Sequence, residues 1–174
     1  MSDYIAAPLS RQNLLDYAKT IRVSLNLEDR LCFPVLSFLE ILPDFFSVLG
    51  FTFEIVPDSE FPNAVQGETD VTNHHIRIKE SVYNGAYNGN GRDRYSIMHE
   101  ISHYLLMSVS GVTFQRNISG RKVKTYEDPE WQAECLAAEL LMPFDLVREK
   151  SIQEIANDCK VSFAAARTQS KYLK

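Results

Sequence analysis

Cysteine is scarce in this chain: 174 residues hold three, Cys32, Cys135 and Cys159. An odd number at no metal-like spacing speaks against a disulfide framework. Cys135 and Cys159 fall on stretches of helical apolar period, where a free thiol acts as a small hydrophobe. A reducing cytoplasm is therefore the expected compartment. Long apolar runs are also lacking. The most apolar stretch, Phe45 to Phe53, is too short to span a bilayer, and Met1 to Ser10 has no basic segment followed by an apolar run, so neither membrane span nor signal peptide is expected. Positive charge is in deficit, with 18 Lys and Arg against 23 Asp and Glu and a net charge of −5. Phosphate contacts need concentrated cations, so nucleic-acid binding is not the expected main activity, although a local basic patch remains compatible with that balance. Internal repeats and low-complexity segments are absent. An apolar content of 45% and a charged content of 24% suit an ordinary soluble protein, and the length suits one compact domain with a core.

What the chain does have is His99-Glu100-Ile101-Ser102-His103. An H-E-x-x-H pattern on a helix stacks two imidazoles one turn apart on one face, where both reach a single metal ion. The intervening Glu100 then sits beside the metal's open position. Ile97, Ile101 and Leu105 recur at helical spacing, with Met98, Leu106 and Val109 widening the apolar stripe. The spacing predicts a helix from about Arg92 to Ser108, stopped near Gly111.

Elsewhere, Ser10 caps a helix marked by Leu14, Leu15, Ala18, Ile21 and Leu25. A second helix is expected over Pro34 to Leu42, broken or kinked by Pro43, with Asp44 to Leu49 as a short turn. Phe51, Phe53 and Ile55 alternate as a strand. A second strand covers His74 to Lys79, with His74, Ile76 and Ile78 on one face. Tyr83 to Arg92 reads as a turn-forming loop. Residues 112–127 form a polar connection with a short extended piece at Val112 to Ile118 and a basic run, Gly120-Arg121-Lys122-Val123-Lys124. Asp128 followed by Pro129 is a strong helix start, with Ala133, Leu136, Ala137, Leu140 and Leu141 on the buried face and Pro143 as the stop. Ser151 to Leu173 reads as two short helices around Cys159-Lys160-Val161, the second capped by Ser162.

A catalytic zinc takes three protein ligands and leaves a fourth position for water. With His99 and His103 in hand, the third must come from elsewhere. Glu130 and Glu134 lie one turn apart on the helix after Asp128, and His74 and His75 are further candidates. Ala133 and Ala137 would let that helix approach the metal helix closely. Glu130 also has a structural explanation, since a first-turn carboxylate gains about 0.3–1 kcal/mol from the helix dipole.

The segment Arg92-Asp93-Arg94-Tyr95-Ser96-Ile97-Met98-His99-Glu100-Ile101-Ser102-His103 resembles the ImmA/IrrE family of metallopeptidases, whose usual wording ends in H-E-L-G-H. Glu130-Trp131-Gln132-Ala133-Glu134-Cys135-Leu136-Ala137-Ala138-Glu139-Leu140-Leu141-Met142-Pro143 is similar to that family's E-x-x-A-N-x-F-A-x-x-L-L-M-P. The resemblance covers roughly residues 50 to 173. It implies that Glu130 is the third ligand, with Glu134 the alternative ligand or a carboxylate that accepts a hydrogen bond from a ligand histidine. Tyr95 and Ser96 replace Phe-Thr, Ser102 replaces Gly, and Glu134 and Leu136 replace Asn and Phe.

The expected activity is that of a zinc endopeptidase with one catalytic ion on His99, His103 and Glu130. The ion would acidify a water and polarise a carbonyl, and Glu100 would serve as general base. Tyr95, Tyr104 and His75 are candidate donors to the oxyanion. The resemblance implies a helix-turn-helix repressor as protein substrate, guarding a mobile element, prophage or stress regulon. The competing expectations are a non-catalytic regulator or toxin–antitoxin partner with a degenerate metal site, and a DNA-binding regulator working through the C-terminal helices. The expected fold is α+β. A small three-stranded sheet, antiparallel or mixed, packs on the H-E-x-x-H helix amid mostly helical surroundings. Residues 1–50 supply N-terminal helices, 51–147 a metallopeptidase core and 148–174 a helix-turn-helix-like pair, together one compact domain.

Overall fold

Two helices that run side by side, α4 (Gly91–Ser110) and α5 (Pro129–Leu141), form the spine of the computed structural model, which describes residues 4–110, 115–116 and 122–173. Their contact is close because its side chains are small: Ser102, Ala133 and Ala137 are fully buried. The α4 stripe of Ile97, Met98, Ile101, Leu105 and Leu106 enters the core as the periodicity requires. Residues 111–114 and 117–121 lie outside the described residues, and with them Gly111, most of the extended piece expected at Val112 to Ile118, and the Gly120-Arg121 start of the basic run.

The fold is α+β. Strand β2 (Thr52–Val56) pairs in parallel with β4 (His75–Lys79), which pairs antiparallel with β3 (Gly67–Asp70), so the order is β2-β4-β3. Parallel pairing needs a crossover, and here β3 itself sits within it. A separate two-residue pairing joins β1 (Tyr4–Ile5) to β5 (Gln115–Arg116). Helix α1 (Arg11–Ser24) lies along α5, α2 (Val35–Phe45) covers α4 and β2, and α3 (Glu80–Tyr87) links β4 to α4. After α5 come α6 (Phe144–Val147), α7 (Ile152–Cys159) and α8 (Phe163–Ser170).

Caps fall where the chemistry places them. Ser10 and Asn13 form a reciprocal capping box on α1, Asp128 accepts from the Glu130 N–H at the start of α5, and Ser151 and Ser162 cap α7 and α8. Three expectations need correction. Tyr83 to Arg92 is mostly helix, because Gly85 lets α3 lie against Asp93 of α4: a Cβ there would collide with the Asp93 carboxylate. Only Asn88 to Asn90 turns, with Gly89 at φ +84°. Helix α2 runs through Pro43 to Phe45, since Phe38, Leu39 and Leu42 stay anchored in the core. His74 precedes its strand, held at φ +52° in the turn, and Lys79 is buried with its ammonium on the Pro62 carbonyl at 3.0 Å.

Both ends of the chain brace α4. Arg94, almost fully buried, donates from Nε to Lys160 O at 2.9 Å and from Nη2 to Phe33 O at 2.7 Å. Beside it, Gly91 abuts the α7–α8 turn so closely that a Cβ would collide with Val161 C and lie 2.5 Å from Ser162 N. Those are backbone atoms and cannot step aside alone. Gly91→Ala should therefore lower stability by about 1–3 kcal/mol, the usual cost of overpacking, or roughly 2–4 °C in Tm per kcal/mol. An unchanged melting temperature would show that the α7–α8 turn yields freely.

Candidate functional site

Helix α4 presents His99 and His103 on one face, their Nε2 atoms 3.1 Å apart and their rings nearly perpendicular. The first turn of α5 brings Glu130 to them, with Oε2 3.3 Å from His99 Nε2 and 3.5 Å from His103 Nε2. Zinc ligands sit about 2.0–2.1 Å from the ion, which in tetrahedral geometry separates them by about 3.3 Å. The three observed edges bracket that value, so the donor set fits a tetrahedral ion of this size with one corner left over. Among the described residues this is the one group of three His, Cys, Asp or Glu side chains whose donor atoms converge, all within 4.8 Å.

The electrostatics follow the geometry. The two imidazoles, His103 foremost, hold the Glu130 carboxyl well below the usual carboxylate range. Burial alone would lower His99, yet its contact with Glu130 and the charges of Glu100, Glu130 and Glu134 raise it above its ordinary value. A more basic His99 imidazole is a stronger donor, and protons compete with a cation for it.

A cleft of about 580 Å³ opens over this cluster, lined on one side by residues 67–72 and on the other by His99, Glu100, His103, Met107, Pro129 and Glu130. Glu100 faces the strand wall. Thr69 Oγ1 lies 2.7 Å from its Oε2 and 3.0 Å from its carbonyl oxygen. Gly67 makes this approach possible: a Cβ there would lie 3.0 Å from Glu100 Cγ, Arg77 O and Ile78 Cδ1. Neither Gly67 nor Thr69 stands out in the sequence. The segment Gly67-Glu68-Thr69-Asp70 has no apolar alternation, and the one available signal is a glycine near a β-branched residue.

The other candidates lie apart. Glu134 is exposed and lines a separate groove with Arg11, Tyr95 and Trp131, its main-chain oxygen accepting from the Tyr95 hydroxyl at 3.0 Å. His74 pairs through Nδ1 with the buried Tyr104 hydroxyl at 3.1 Å. His75 lies on the outer face of the sheet, 2.7 Å from Thr52 Oγ1 and 3.5 Å from Glu54. Tyr95, Tyr104 and His75 are thus all engaged away from the cleft, which removes them as oxyanion donors. Tyr104 follows His103 by one residue, a rotation of about 100° that turns it toward the sheet, where it packs on Phe51 at 4.4 Å between ring centroids.

Removing one of three converging donors should cost far more than removing a neighbour. Glu130→Ala is expected to weaken zinc binding by about 100-fold or more, while Glu134→Gln changes it by about threefold at most. Competition titration with a chelating dye measures both. Equal losses in the two variants would reassign the third ligand.

Comparison with known proteins agrees with this architecture. The family model described as the IrrE N-terminal-like domain, peptidase M78, matches residues 63–170. None of the curated proteins matches the chain at a significant level. Among solved structures, a Mycobacterium tuberculosis transcriptional regulator is similar, with a TM-score of 0.60 at 12% identity over 90% of this chain and 46% of that one. At that identity the likeness speaks for the fold, and this chain spans under half the length of that regulator. The α4–α5 spine, the three-stranded sheet and the matched residues place the chain plainly: it belongs to the IrrE N-terminal-like domain family of M78 peptidases.

Proposed function

We propose that the chain is a zinc-dependent endopeptidase of narrow specificity that cleaves a helix-turn-helix transcriptional repressor in the cytoplasm. The observation that carries this reading is the placement of the Glu100 carboxylate in the same cleft as the His99, His103 and Glu130 donors. A zinc ion held there would acidify a water and polarise the scissile carbonyl. Glu100 would take a proton from the attacking water on a carboxylate oxygen as the water oxygen bonds to the carbonyl carbon. It then delivers the proton to the amide nitrogen as the C–N bond breaks. Thr69, through its hydroxyl beside Oε2, holds the carboxylate in one orientation and leaves Oε1 to handle the proton.

Strand β3 favours a polypeptide substrate. It ends the sheet, and among the described residues its main chain bonds only to β4. An extended segment can lie along that edge, and a folded protein surface cannot. The family's peptidase character supports the reaction class. We assign α7 and α8 to bracing rather than to DNA. Ile155, Ala156, Cys159, Val161 and Ala166 are buried, and Asp158 engages Lys150 at 2.9 Å, which leaves little concentrated positive surface. No described helix is long and apolar enough to cross a membrane.

Glu100→Gln should retain zinc and lose turnover by about 100-fold or more. Incubation of the wild-type protein with a co-encoded repressor, followed by fragment sequencing, should return one internal cut that the variant does not make. Cutting at the normal rate by Glu100→Gln would remove its assigned role. Thr69→Val should lower kcat by about tenfold with KM unchanged, the scale of one hydrogen bond to a charged group, and Thr69→Ser should restore it. Equal kcat for Val and Ser would reduce Thr69 to packing.

A further inference from the structure

The cleft over His99 and His103 is electrically one-sided. Glu68 and Asp70 stand on its β3 rim, Glu100 and Glu130 line the opposite wall, and no lysine or arginine among the described residues lines it. The guanidinium beside Glu68 belongs to Arg77 and is already shared. Arg77 Nε donates to Glu54 Oε1 at 2.8 Å, another of its nitrogens bonds Glu60, and Nη1 approaches Glu68 Oε2 only to 3.8 Å. One cation thus serves three carboxylates, and Glu68 has the loosest hold on it, with 59% of its side chain exposed. Asp70 is differently placed, because its carboxylate accepts from Asn73 N at 3.0 Å and Asn73 Nδ2 at 2.7 Å to close the turn after β3. It adds negative field, but its oxygens are engaged. A divalent cation on His99, His103 and Glu130 would offset the charges of Glu130 and Glu100, leaving those of Glu68 and Asp70 standing.

We propose that this cleft selects extended substrate segments that carry a lysine or arginine next to the scissile bond, with Glu68 as the residue that recognises the cation. The inference rests on the reading of the cleft as a peptidase site. A chain laid along β3 alternates its side chains across the sheet as β3 does. Gly67 and Thr69 face Glu100, whereas Glu68 and Asp70 face the outer side, together with His75 and Arg77. A substrate cation on the outer side meets Glu68 within the field of Asp70. A substrate carboxylate there meets the like charges of Glu68 and Asp70, because the one guanidinium on that face, Arg77, is already held by Glu54 and Glu60, and this suppresses wrong partners.

The test uses zinc-loaded Glu100→Gln protein and fluorescein-labelled random peptide pools with one position fixed as Lys, Arg, Leu or Glu. The Lys and Arg pools should be retained about fivefold more tightly than Leu, the size of one or two half-exposed ion pairs. The Glu pool should bind weakest, and the spread should narrow as salt rises. Adding Glu68→Gln should remove most of the preference, and Glu68→Lys should invert it toward the Glu pool. Because Glu68 is exposed, neither change threatens the fold. Equal retention of all pools, retention of none, or a preference untouched by Glu68→Gln would overturn the proposal. Wild-type protein then separates the two ideas. Retention of basic pools without any cutting would refute the peptidase reading and leave cation selection standing. Cutting without regard to the fixed residue would refute selection and leave the peptidase reading standing.

Discussion

The contact between α4 and α5 decides whether His99, His103 and Glu130 can share an ion. Two imidazoles one turn apart come from any helix with that spacing, but the third donor reaches them only if the second helix begins at the right height and lies close. Asp128 and Pro129 set the height by fixing the first turn of α5. Ser102, Ala133 and Ala137 set the distance, since each is fully buried and none is larger than a hydroxymethyl group. The N-terminal segment adds a lateral constraint. Ala6 N donates to Glu127 O and Leu9 N to Tyr126 O, both at 2.9 Å, and Gln132 Nε2 donates to Ala7 O at 2.8 Å. The residues leading into Glu130 are therefore strapped before the helix starts.

The far end of α5 is fixed by polar groups instead. Glu139 is buried, and a buried carboxylate is tolerable only when its oxygens are engaged. Arg11 Nη2 meets Oε1 at 2.6 Å, Gln169 Nε2 meets the same oxygen at 2.9 Å, and Phe144 N donates to Oε2 at 3.2 Å. Those bonds tie α1, α8 and the entry to α6 onto one side chain. A charge network of this kind resists sliding of its helices, because any shift strands the carboxylate. The end of α5 that carries Glu130 is thus set by caps and small residues, and its opposite end by a paired charge.

The most legible parts of the sequence are those whose signal is local. His99-Glu100-Ile101-Ser102-His103, the Asp128-Pro129 start and the Ser151 and Ser162 caps each carry their structural meaning within a few residues. Strand β3 is invisible for the opposite reason. Gly67-Glu68-Thr69-Asp70 has poor strand propensity and becomes a strand only by pairing with Ile76 and Ile78, a contact between segments that the sequence does not announce. Thr69 and Glu68 are hidden with it, so half of the cleft is unreadable. The buried cations Arg22 and Arg94 are illegible too, because arginine is mostly a surface residue. Both serve carbonyls at helix ends and loops, with Arg22 Nη2 on Leu27 O at 2.8 Å. Tyr83 to Arg92 misleads because Asn and Gly suggest turns, while here Gly85 admits a neighbouring carboxylate inside a helix.

The departures from the usual family wording can be weighed on the same physical terms. Ser102 stands where glycine is customary, and its hydroxyl bonds Met98 O at 2.8 Å, a partner within its own helix. It therefore brings no unsatisfied polar atom into the α4–α5 contact and needs only the space of one hydroxyl. Glu134 is the bolder change, since it sets a carboxylate one turn beyond Glu130. Its side chain stays exposed, so solvent meets the cost of the charge, and what reaches His99, His103 and Glu130 is field alone. That field helps to keep His99 basic. A more basic imidazole is a stronger donor to a cation and a stronger base toward protons, so Glu134 would strengthen the hold on a cation only where protons are scarce enough not to compete.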